Sequence, residues 1–101
     1  MNIVAVTACP TGIAHTYMAA EQLEKTGKAL GHNVKVETQG SGGVENELTA
    51  GEIAAADVAI FAVDIMVEGR ERFDRPGLRI LEVPVSLAIK DPKAVYAKLE
   101  E

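Results

Sequence analysis

The chain has 101 residues, 48% of them apolar and 25% charged, with a formal net charge of −5. That is one domain's worth of chain, and an acidic balance without a basic cluster excludes nucleic-acid binding or membrane adhesion through charge. Its single cysteine excludes an internal disulfide, a C-x-x-C redox pair and a multi-cysteine zinc site, so neither metal nor cofactor is expected and a reducing cytoplasm is the natural setting.

Residues 2–8 (NIVAVTA) form a nearly continuous apolar run, as in a strand buried on both faces. They have no basic flank and no A-x-A site, so they read as a strand and not as a signal peptide. No run in the chain is long enough to span a bilayer, and no membrane insertion is expected. Cys9-Pro10-Thr11-Gly12 breaks the strand. From Ile13 the period changes, with Ile13, Tyr17, Ala20, Leu23, Gly27 and Leu30 at helical spacing up to Gly31. Gly27 falls on the apolar face, where it would let the helix approach the sheet closely. Residues 33–38 (NVKVET) alternate and predict an edge strand with one wetter face, followed by a Gly-Ser loop over 39–43. Thr49 and Glu52 have capping-box spacing ahead of a short helix. Residues 57–63 (DVAIFAV) predict a second buried strand, 68–73 a helical turn, 75–77 a turn and 78–83 a last strand. Asp91-Pro92 fits the start of a terminal helix.

This alternation predicts one α/β domain over residues 1–101. Its sheet should be a small, doubly wound, Rossmann-like open parallel sheet of four strands in the order 2-1-3-4, with helices on both faces. The crevice at the carboxyl end of the first strand is then the expected site, and Cys9 lies there.

The segment Cys9-Pro10-Thr11-Gly12-Ile13-Ala14-His15-Thr16 places a thiol where a buried strand ends and a helix begins. Backbone N–H groups at a helix start, together with its dipole, make an anion site and stabilise a thiolate. Residues Pro10 to Thr16 therefore read as a phosphate-binding loop around a nucleophile, with Thr11 and Thr16 as hydroxyl donors. A lone cysteine is otherwise a small buried hydrophobe. The loop parallels the phosphatase pattern C-x5-R-[ST], except that His15 stands where the phosphatase has Arg. Without the Arg fork a phosphocysteine should form but resist water. Asp91 is placed like the phosphatase general acid, yet Asp before Pro is also an ordinary helix start. Gly40-x-Gly42 lacks the third glycine of a dinucleotide fingerprint, and Asp64, Glu68 and Glu71 read as wet surface.

The run Val4-Ala5-Val6-Thr7-Ala8-Cys9-Pro10-Thr11-Gly12-Ile13-Ala14-His15-Thr16-Tyr17-Met18-Ala19-Ala20 resembles the fructose-type enzyme IIB component of the bacterial sugar phosphotransferase system. So do Val36-Glu37-Thr38-Gln39-Gly40, Glu45-Asn46-Glu47-Leu48-Thr49, Ile53-Ala54-Ala55-Ala56-Asp57-Val58 and Glu71-Arg72-Phe73. The resemblance implies that Cys9 accepts a phosphoryl group from a phosphohistidine of the IIA component. It passes the group to fructose or a fructose-like sugar held by the membrane IIC component, typically giving fructose 1-phosphate. It also implies a cytoplasmic domain associated with the membrane's inner face through IIC. Gly43 departs from the larger apolar residue expected there, and the segment from Pro84 onward carries no assignable family chemistry. Two other classes stay open on the residues alone: a small cysteine phosphatase, which His15 argues against, and a binding module in which Cys9 is merely buried.

Overall fold

The computed structural model describes residues 1–10, 13–40 and 43–99. Among these residues five strands form one sheet: β1 (Asn2–Ala8), β2 (Asn33–Gly40), β3 (Gly43–Glu45), β4 (Val58–Val63) and β5 (Arg79–Val83), in the order β3-β2-β1-β4-β5. The four parallel strands β2-β1-β4-β5 keep the expected order, and connections leave β1 in opposite directions to β2 and β4. The expectation of a four-stranded, wholly parallel sheet is corrected by β3. This strand pairs antiparallel with the end of β2, matching Thr38 with Glu45 and Gly40 with Gly43, where the sequence predicts a loop over 39–43 and no strand after it. Three residues are too few to show a period, and Gly43, at φ +99°, mimics a loop residue. β2 is consequently not an edge strand.

Side-chain alternation along β1 divides the core. Ile3 and Ala5 join Val58, Ile60 and Ala62 under α1 (Ile13–Ala29), α3 (Val85–Lys90) and α4 (Pro92–Lys98). Val4 and Val6 join Ala59 and Phe61 on the other face, against α2 (Ala50–Ala55) and a 3-10 turn at Arg70–Phe73. Helical elements thus cover both faces. The sequence pattern missed α3, whose six residues follow a proline and are too few for a helical period.

On α1 the buried stripe is Thr16, Ala19, Leu23 and Gly27, while Tyr17 and Leu30 face outward. The expected apolar face therefore holds at Leu23 and Gly27 and shifts by one residue toward the helix start, to Thr16 and Ala19. Gly27 does permit close approach: a Cβ there would lie 2.5 Å from the Tyr96 hydroxyl and nearer still to Val34. The helix ends in a Schellman motif, with His32 N–H bonded to Gly27 O at 2.9 Å and Gly31 N–H to Lys28 O at 3.0 Å. Thr49 and Glu52 form the expected capping box on α2, with bonds of 3.1 and 2.8 Å.

Candidate functional site

β1 is the central strand, paired through Ala8 with Gln39 of β2 on one side and Val63 of β4 on the other. Its carboxyl end is the point where the winding reverses, and Cys9 follows directly, 5% exposed. Thr7 Oγ1 donates to Thr16 O at 3.0 Å, fixing the first turns of α1 against the end of β1. Thr11 and Gly12, part of the expected phosphate-binding loop, lie outside the described residues, as does the side chain of Ile13. Pro10, Ala14 and His15 are exposed and Thr16 is buried.

Cys9 opens into a concavity of about 420 Å³ shared with His15, Met18, Asp64, Ser86, Ile89 and Lys90. The structure thus brings Cys9 and His15 to one cavity. Among the described residues Thr16 Oγ1, on a residue 1% exposed, has no hydrogen-bond partner, a costly state for a buried hydroxyl.

Sequence reasoning missed the rest of this wall. Asp64, read as wet surface, ends β4: its N–H donates to Ala8 O at 3.0 Å, and its Oδ1 accepts from Val85 N–H at 3.2 Å. It therefore links the end of β1 to the start of α3. Ser86 and Lys90, four residues apart, share one face of α3, and both line the Cys9 concavity. No local pattern marks them, because only the sheet order brings α3 to the end of β1. Met18, in the same lining, is an exposed apolar side chain, 48% exposed. Asp91, weighed as a general acid, instead caps α4: its Oδ1 accepts from Ala94 N–H at 3.2 Å, ahead of Pro92.

Outside this concavity, β2 carries a buried polar cluster where its alternation had suggested a wetter face. Glu37 is fully buried and accepts two bonds from the Arg72 guanidinium, at 2.8 and 2.9 Å, one from Leu48 N–H at 2.9 Å and one from Gln39 at 2.7 Å. Gln39 also exchanges bonds of 2.9 and 2.8 Å with the backbone of Glu68. The segment after β4 is thereby tied across the sheet to β2. Burial pushes the Glu37 carboxyl up, but the bonds from Arg72, Leu48 and Gln39, with the Arg72 charge, outweigh it and hold the carboxyl below its ordinary range. Among the described residues no group of three or more His, Cys, Asp or Glu is placed to hold a metal ion.

An open, doubly wound sheet with the chain's one thiol at the winding reversal defines a small α/β domain that presents a cysteine at its switch-point crevice. Comparison with known proteins narrows that class. The family described as "PTS system, Lactose/Cellobiose specific IIB subunit" matches residues 4–98. The chain is 55% identical over 99 residues to "PTS system fructose-like EIIB component 2" of Escherichia coli strain K12, covering 98% of this chain and 92% of that protein. It is 52% identical over 94 residues to "PTS system 2-O-alpha-mannosyl-D-glycerate-specific EIIABC component" of the same strain, covering 93% of this chain and 14% of that protein. The solution structure of an Enzyme IIB subunit of the PTS system from Escherichia coli K12 superposes with a TM-score of 0.90 at 40% identity, covering 99% of this chain and 91% of that one. The chain belongs to the IIB family of the sugar phosphotransferase system, PTS, as a fructose-type member.

Proposed function

We propose that this chain is a single fructose-type IIB domain that carries a phosphoryl group on Cys9 between two partners during sugar uptake. The observation that carries the reading is the position of the chain's one thiol, at the end of the central strand and lining a concavity with His15. The Cys9 thiolate attacks the phosphorus of a phosphohistidine on the IIA component. The S–P bond forms, the N–P bond breaks, and the electron pair returns to the imidazole. A hydroxyl of a fructose-like sugar on the membrane IIC component then attacks the phosphorus. The S–P bond breaks, the thiolate leaves, and the hydroxyl proton passes to a base at the sugar site.

Residues Pro10 to Thr16 form the phosphate-binding loop in this reading, with His15 and Thr16 contributing hydrogen bonds. His15 in place of an Arg fork favours a carrier over a phosphatase, since the phosphoryl group is not clamped for attack by water. The setting is the cytoplasm, at the inner face of the membrane through IIC. Among the described residues no helix is long and apolar enough to cross a membrane.

The test is incubation with a phosphorylated IIA component of a fructose-type system, followed by peptide mapping of the label. The label is expected on Cys9, stable in the isolated domain, and discharged by membranes containing IIC and sugar. Cys9→Ala is expected to keep the fold and lose the label. Label on another residue, or transfer by Cys9→Ala near the unsubstituted rate, overturns the phosphocysteine.

A further inference from the structure

We infer that Lys90 supplies the positive charge that meets the anionic group arriving at Cys9, so that α3 is a working wall of the site. This rests on the phosphocarrier reading for the identity of the anion, but the charge itself is measurable without it. Among the described residues Lys90 is the only lysine or arginine lining the concavity into which Cys9 opens. It is also uncommitted. The ion pairs among the described residues are Lys28–Glu24, Lys35–Glu52, Arg70–Glu82 and Arg72–Glu37, and none includes Lys90. The acid in the same concavity, Asp64, directs Oδ1 to the Val85 N–H at the opposite end of α3. Ser86, Ile89 and Lys90 fall on one face of α3, which therefore offers a hydroxyl, an apolar side chain and an ammonium to whatever enters.

That combination suits a phosphohistidine. The imidazole can lie against Ile89 and Met18 while the ammonium meets the phosphoryl oxygens. During transfer the nitrogen–phosphorus bond breaks and the sulfur–phosphorus bond forms, while the equatorial oxygens keep their negative charge throughout. A cation beside them lowers the repulsion between an approaching dianion and a thiolate. The chain needs such a group because its net charge of −5 otherwise repels a phosphorylated donor. Lys90 donates charge and hydrogen bonds only, and no proton transfer is assigned to it.

The decisive measurement compares alkylation of Cys9 by anionic iodoacetate and neutral iodoacetamide at low ionic strength. The variants are Lys90→Arg, Lys90→Gln, Lys90→Glu and, as a control with the same loss of net charge, Lys93→Gln on α4. The iodoacetate-to-iodoacetamide rate ratio is expected to hold in Lys90→Arg and Lys93→Gln. It should fall about fivefold in Lys90→Gln, as for one charge a few ångströms away in a wet site, and further in Lys90→Glu. Added salt should shrink these differences. An unchanged ratio in both Lys90→Gln and Lys90→Glu overturns the inference. So does an equal fall in Lys93→Gln, since net charge and not position would then be acting. Phosphorylation by the IIA donor, run in parallel, tests the underlying reading separately. A thiol that shows the Lys90 effect but never takes the phosphoryl group leaves the cation in place and removes the carrier.

Discussion

Thr16 carries a buried polar group that the fold itself leaves unused. Its hydroxyl is buried and bonded to nothing among the described residues, although its carbonyl accepts from Thr7 Oγ1. An unsatisfied buried hydroxyl destabilises, and its replacement by an apolar group of the same shape is neutral or favourable. Thr16→Val is therefore expected to leave stability unchanged or to raise it by about 1 kcal/mol in urea unfolding. If the hydroxyl serves the phosphoryl group, transfer to Cys9 should fall about tenfold, as for a lost hydrogen bond to an anion. A variant that is less stable yet transfers normally would show that the hydroxyl belongs to the fold. Cys9, His15 and Thr16 were legible in the sequence because all three lie within one strand–loop–helix junction. Asp64, Ser86 and Lys90 were not, since they reach the crevice from the end of β4 and from α3, far along the chain from Cys9.

At the level of elements, the contact between α1, β2 and α4 turns on the missing side chain of Gly27. Alanine is the better helix former by about 1 kcal/mol, so propensity alone predicts that Gly27→Ala stabilises. The geometry reverses the sign. The new methyl would collide with Val34 and with Tyr96, whose hydroxyl donates to Leu23 O at 2.6 Å and is buried between the two helices. Gly27→Ala is expected to lower stability by about 2 kcal/mol, the scale of overpacking in a filled core, as read by the urea midpoint. Pairing it with Tyr96→Phe should recover part of the loss, because Tyr96 is one of the two groups displaced. The long or strongly apolar elements β1, α1 and β4 were legible from their period, and α2 and α4 from their caps. The short ones, β3 and α3, are fixed by what they pack against, and local sequence does not encode that.

For the whole molecule, Glu37 and Arg72 join the two sides of the sheet and give stability a dependence on acid. The Glu37 carboxyl is depressed in the folded state, so its contribution is fully present above the ordinary carboxylate value of 4.5 and is lost as pH falls through the lower folded value. Stability should therefore drop below about pH 4.5 with a steeper slope in the unsubstituted chain than in Glu37→Gln. Arg72→Met strands the carboxylate and should lower stability at neutral pH by about 3 kcal/mol. A Tm profile flat in acid for both chains would remove Glu37 from the account. Lastly, Asn46 lies just past β3 with φ +54°, and its side-chain amide donates to Val36 O at 2.9 Å, while Lys35 reaches Glu47 O at 3.2 Å. Beyond the three pairs that β3 makes, the Asn46 amide occupies the Val36 carbonyl as a neighbouring strand would, removing one backbone acceptor with which β2 could recruit a second molecule. Asn46→Ala should open that flank, and light scattering on gentle warming should show earlier aggregation than in the unsubstituted chain. The asymmetry suits a carrier: the crevice end must be sticky enough to meet partners in turn, and the flank must refuse every copy of itself in a crowded cell.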